Sequence, residues 1–207
     1  MPARRNGPVS SNVRRHKMPH SPTRPYTKLA QLETYLFEIV TERFRTQGSI
    51  DAFDFFCIVI WKANRAKSRI AKRLLGRSNV SLEVLISELT KTIFCAESHQ
   101  ERLRILMKDW NFRLPMSSAI LTVLYPEDFT VYDVRVCDEL GKFHELAESA
   151  KAEVVWLGYE RYRSAVIENT PRQTILRERD RELWGKSFAK QLEIQIQDGF
   201  AKPEVLA

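Results

Sequence analysis

No Cys-x-x-C pair, no cluster of histidines and no long apolar run occurs in this chain. The first two absences exclude a zinc ribbon and a cysteine-bound iron–sulfur cluster, so neither metal nor cofactor is expected. The third excludes a membrane-spanning helix, which needs roughly 18 consecutive apolar residues. The three cysteines, Cys57, Cys95 and Cys137, stand apart in apolar surroundings. They read as reduced core thiols of a cytoplasmic protein. No apolar segment follows the basic N-terminus, so a secretory signal is not expected. A strand-like alternation of useful length and an internal repeat are also missing.

Acids are missing from two stretches, and this locates the net charge of +7. Residues 1–28 carry Arg4, Arg5, Arg14, Arg15, Lys17, Arg24 and Lys28 without one acid. Taking these seven from the 33 basic residues leaves 26, equal to the 26 acidic ones. The body is therefore neutral overall. Residues 1–27, rich in Pro, Ser, Arg and Asn, read as a disordered basic arm. Residues 55–82 form the second acid-free block and hold Lys62, Arg65, Lys67, Arg69, Lys72, Arg73 and Arg77. A one-signed block repels itself unless an anion lies along it, and nucleic-acid phosphate is the natural candidate.

What is present is helical periodicity. Leu29, Leu32, Leu36, Ile39, Val40 and Phe44 recur at the spacing of one buried face until Gly48 breaks the pattern. Phe53, Phe56, Cys57, Ile60, Ile70 and Leu74 predict one long helix ending near Gly76. Lys62, Arg65, Arg69 and Arg73 would share a face of it. Ser81 caps a third helix, and Ser98-x-x-Glu101 opens a fourth as a capping box. Residues 154–169 predict a helix carrying Trp156, Tyr159, Tyr162 and Val166. Thr170-Pro171-Arg172-Gln173 predicts the start of another, carrying Leu176, Leu183 and Trp184, with Gly185 as its end. The fold class expected is all-α. The C-terminal aromatics read as core, with base stacking the alternative.

Residues 114–136 are the most informative segment. They read as a Pro turn, a short buried helix through Ile120, Leu121 and Leu124, a second Pro turn at Pro126, and an acid starting another helix. Asp133 there is first a helix N-cap. Its place beside a buried helix and a forced turn also puts it at the edge of a cavity. Tyr125 and Tyr132 flank it as candidate pocket walls.

The order Leu114-Pro115, Ser118-Ala119 and Val131-Tyr132-Asp133 resembles the hairpin-plus-aspartate segment of the helix-hairpin-helix DNA glycosylases. Residues 55–64, Phe-Phe-Cys-Ile-Val-Ile-Trp-Lys-Ala-Asn, resemble that family's apolar helix ending in a polar triplet. The resemblance implies a two-lobed helical bundle over residues 28–207 with the cleft between the lobes. It implies double-stranded DNA with a damaged or modified base as partner, and Asp133 as the catalytic carboxylate facing a flipped-out nucleotide. Asn64 takes the place that fills the gap left by that nucleotide. Trp61 and Lys62 fall beside the pocket opening. Lys62, Arg65, Arg69, Arg73, Ser117 and Ser118 become DNA-contact positions.

This chain departs from the family pattern in three places: the hairpin has no glycine, Arg135 stands where His is common, and Ser117 falls where lyase-competent members carry a nucleophilic Lys. The expected activity is therefore monofunctional base hydrolysis without strand cleavage. Two alternatives stay open. One is a catalytically silent DNA-binding protein with this fold. The other is a helical protein-interaction domain in which Asp133 is only a cap.

Overall fold

In a computed structural model, residues 24–149 and 152–200 are described. They form α1 (Tyr26–Leu29), α2 (Leu32–Tyr35), α3 (Thr41–Gln47), α4 (Ala52–Ala63), α5 (Lys67–Leu75), α6 (Leu82–Cys95), α7 (His99–Arg104), α8 (Leu114–Leu124), α9 (Val134–Leu140), α10 (Ala152–Glu168) and α11 (Leu176–Gln197). Wide π-helical turns at Leu36–Val40 and Ile105–Asp109 join α2 to α3 and extend α7. There is no strand among the described residues, and the protein is all-α. No helix among them is long and apolar enough to cross a membrane.

Local chemistry sets most boundaries. Gly48 ends α3 at φ 69°, and a Cβ there would lie 3.1 Å from the Phe94 ring. Asp51 caps α4 by accepting from Asp54 N at 2.8 Å, and Ser81 and Ser98 cap α6 and α7 as expected. The capping box is half formed, because Glu101 turns its carboxylate to Arg104 instead. α8 is apolar on every side, and all its residues but Pro115 are buried. Such a helix belongs in the middle of a core. It packs against α3, α4 and α7, inside one contiguous apolar cluster that runs from Tyr35 to Leu183. α9 packs along α11, and α10 lies against α7 and α11. Gly158 lets α10 approach the turn His144–Ala147, since a Cβ there would meet Leu146 at 2.3 Å.

Several expectations change. The long helix after Gly48 is broken at Ala63 (φ −160°, ψ 79°) into α4, a 3₁₀ turn Asn64–Ala66, and α5. The buried face of α4 is Asp54, Phe55, Cys57, Ile58 and Val59, while Phe53 and Ile60 are exposed. The buried face departs from the apolar periodicity because α4 buries an acid. Asp54 sits in the core, bonded by Tyr35 Oη at 2.7 Å, by Arg24 at 3.3 Å and by Arg43. Burial and that bond push the Tyr35 hydroxyl up to about 12.

The expected arm, 1–27, lies mostly outside the described residues, but Arg24 belongs to the body through this cluster. The Thr170 frame starts no helix: the Thr170 hydroxyl donates to Val166 O and closes α10. α11 begins at Leu176 and runs through Gly185 to Gln197. Cys57 and Cys137 are buried as expected, whereas Cys95 is exposed.

Candidate active site

Asp133 is the N-cap of α9, with Oδ1 accepting from Arg135 N at 3.1 Å. Its other oxygen, Oδ2, accepts from Lys62 Nζ at 2.6 Å, and Lys62 also donates to Tyr132 O at 3.3 Å. The three residues before it are extended, and side chains from three helices hold their backbone. Thr130 N donates to Tyr159 Oη at 2.9 Å, and Tyr159 Oη donates to Thr130 O at 2.6 Å. Val131 N donates to Asp180 Oδ2 at 2.9 Å, and Tyr162 Oη donates to Val131 O at 2.8 Å. Tyr132 N donates to Ser118 Oγ at 2.9 Å.

A buried non-helical segment must find partners for its peptide groups. Here α8, α10 and α11 each supply them, so the position of Asp133 is fixed by all three. Burial pushes the carboxyl of Asp180 up, against Arg177, Val131 and Thr130, which pull it down. Burial likewise raises the Tyr159 and Tyr162 hydroxyls.

Asp133 opens on a cavity of about 560 Å³ between α2 and α4 on one side and α9 and α11 on the other. That size is typical of small-molecule sites. Trp61 and Trp184 line it, with three carboxylates (Glu33, Asp133, Asp180) and three cations (Lys62, Arg177, Arg181). Arg177 ties the lining together. It pairs with Glu33 at 2.9 Å and with Asp180, and its guanidinium lies 5.0 Å from the Trp61 ring centre. Trp184 is 41% exposed at the rim and stacks on Phe188 at 5.3 Å. Among the described residues, no group of acids, histidines and cysteines could hold a metal ion.

Of the residues expected from sequence, Asp133, Lys62 and Trp61 meet in this cavity. Tyr125 and Tyr132 do not. Tyr125 packs between Phe44 and Phe129, with Arg102 over its ring. Tyr132 is buried and donates to Phe143 O at 2.7 Å. The extended backbone explains this: Val131 and Asp133 face the cavity, so Tyr132 between them faces the core. Ser117 and Ser118 are also corrected, because both are fully buried. Ser117 donates to Phe112 O, and Ser118 holds Tyr132, so neither reaches a surface ligand.

The expected single basic face is broken with its helix. Lys62 turns into the cavity, while Arg65 and Arg69 stay exposed beyond the break at Ala63. Asn64 is exposed, with Oδ1 accepting from Lys67 at 2.6 Å. Arg73 is half-buried over the Phe112 ring at 4.5 Å, and its Nε and Nη2 have no hydrogen-bond partner. Burial, then Arg69 and Arg77, push its pKa down. Arg77 lies over Trp110 at 4.6 Å, and this edge carries several cations together.

Asp180 and Arg177 were not expected at the site, and Trp184 stands at the cavity rim instead of in the core. One signal was available. Leu176, Asp180, Leu183 and Ser187 are the buried positions of α11, and a lone acid in such a stripe is costly unless something holds it. Comparison with protein-family models, curated proteins and solved structures returned no match to this chain.

Proposed function

We propose that the chain is a monofunctional DNA N-glycosylase with a helix-hairpin-helix architecture, releasing a damaged or modified base from double-stranded DNA. One observation carries the reading: Asp133 caps a helix, faces an aromatic-walled cavity, and stands on a segment whose peptide groups are held from three helices. Breaking a glycosidic bond creates positive charge at the sugar. A fixed carboxylate at a helix N-terminus stabilises that charge without reorganising. The hairpin would be α7 with its extension and α8, joined by residues 110–113, and the two sides of the cavity would be the lobes. The flipped nucleotide enters between Trp61 and Trp184. Asn64 stands outside, free to fill the gap it leaves.

Arg65 and Arg69 contact phosphate in this reading. Replacing both by Ala weakens duplex binding and lowers the slope of log affinity against log salt by about 2, one for each lost phosphate contact. Titrations at several salt concentrations measure this, and an unchanged slope removes the edge from the interface.

The activity is tested on a panel of duplexes carrying modified bases, scored for abasic sites by alkali. Abasic sites without strand breaks before alkali are expected. Salt-dependent binding without base release from any duplex would mean a silent DNA-binding protein. No salt-dependent binding at all would leave a helical interaction domain.

A further inference from the structure

We propose that Lys62 is the general acid that protonates the departing base, and that the site is therefore built for electrically neutral bases. The proposal rests on the glycosylase reading and deepens it. The Lys62 side chain is 13% exposed, lines the same cavity as Asp133, and donates to it at 2.6 Å. Lys62 stands on α4, and the break at Ala63 parts it from Arg65, Arg69 and Arg73, which follow on the next turn and on α5.

The other charged groups around it cannot do this work. Arg177 and Arg181 from α11 do not release protons at accessible pH. Glu33 from α2 is held by Arg177, and Asp180 from α11 is occupied by Arg177, Thr130 and Val131. That leaves the ammonium of Lys62 as the lining's proton donor and the Asp133 carboxylate as its partner.

The step balances within this pair. The bond from C1′ to the base nitrogen breaks, and its electron pair goes to the base. Lys62 gives that base a proton and becomes an amine. Water adds to the sugar cation and passes a proton to Asp133. Asp133 then returns the proton to Lys62 along the hydrogen bond that joins them in the resting protein. The net reaction is water plus nucleotide to free base plus abasic sugar, and the ion pair is restored.

The chemistry selects its substrate. A neutral base leaves as an anion unless it is protonated. A base made cationic by N-alkylation leaves neutral, needs no acid, and meets Lys62 as a like charge.

The test compares wild type, Lys62→Met and Lys62→Arg on duplexes carrying neutral hypoxanthine, uracil or 8-oxoguanine, or cationic 7-methylguanine. Rates are taken at single turnover across pH, with thermal unfolding as the folding control. Wild type is expected to release a neutral base, with a rate that falls at alkaline pH, as reactions that use a general acid do. Lys62→Met is expected to lower that rate by about 10²-fold or more and to abolish the alkaline fall. Lys62→Arg, which keeps the charge without a transferable proton, is not expected to rescue it. Any release of 7-methylguanine should change only a few-fold.

Neutral-base release by Lys62→Met at the wild-type rate, rescue by Arg, or release of the cationic base alone would each overturn the proposal. Borohydride trapping of wild type, but not of Lys62→Met, on the duplex would also overturn it by making Lys62 a nucleophile. The first three outcomes leave the glycosylase reading standing, whereas trapping leaves base release standing but not its monofunctional character. No release by wild type from any duplex, neutral or cationic, overturns both.

Discussion

Replacing Asp180 by Ala is expected to lower the free energy of unfolding by about 3–5 kcal/mol, the range for removing one partner of a buried ion pair. Asp180 is 2% exposed and accepts from Val131 N, Thr130 Oγ1 and Arg177. Alanine leaves a buried peptide N–H and a buried hydroxyl without partners and takes one of the two carboxylates from Arg177. Urea unfolding reads the loss as a lower midpoint at unchanged slope. The same substitution frees the segment that carries Asp133, so base release should fall together with stability.

Asn at this position separates geometry from charge. Burial raises the folded-state pKa of Asp180 above its unfolded value. The folded protein therefore holds this proton more tightly. The stability this group gives is full below the ordinary carboxylate range and declines as pH rises through the folded-state value. Asp180→Asn should remove that decline, which unfolding at a series of pH values from acid to neutral measures. A midpoint for Asp180→Ala within experimental scatter of wild type would show that Asp180 does not hold the segment.

Much of this architecture was legible in the chain. The all-α class followed from apolar spacing, and the caps at Ser81 and Ser98 from side-chain oxygens placed just before apolar runs. In residues 114–136 the buried helix, the turn at Pro126 and the Asp133 cap formed as read because each is local, while Pro115 lies in the first turn of α8 instead of in a turn before it. What was not legible depends on partners far away in sequence. The register of α4 slipped because Asp54 is buried, and it is tolerable there only because Tyr35, Arg24 and Arg43 converge on it.

Thr170 looked like a cap but spends its hydroxyl on α10. Ser118 looked like a surface contact but holds Tyr132 from inside the core. Half of the charged and aromatic lining, namely Arg177, Asp180, Arg181 and Trp184, comes from α11, which meets Asp133 only in three dimensions. The break at Ala63 had no Pro or Gly to announce it, and it parts Lys62 in the site from the arginines that follow.

The second large effect is expected from Asp133→Asn: about a 10³-fold loss of base release with the fold retained. Asn caps helices as well as Asp does, so α9 should keep its start. Lys62 keeps an amide oxygen and Tyr132 O as acceptors, and stability should change by about 1 kcal/mol or less. What disappears is the negative charge facing the sugar. Binding to the duplex, carried by residues such as Arg65 and Arg69, should persist. The decisive measurement is therefore single-turnover base release from one modified-base duplex, with wild type and Asp133→Asn both at saturating concentration. The account predicts equal occupancy of the duplex and release by the variant slower by at least 10²-fold. Abasic sites appearing at the same rate with both proteins would contradict it.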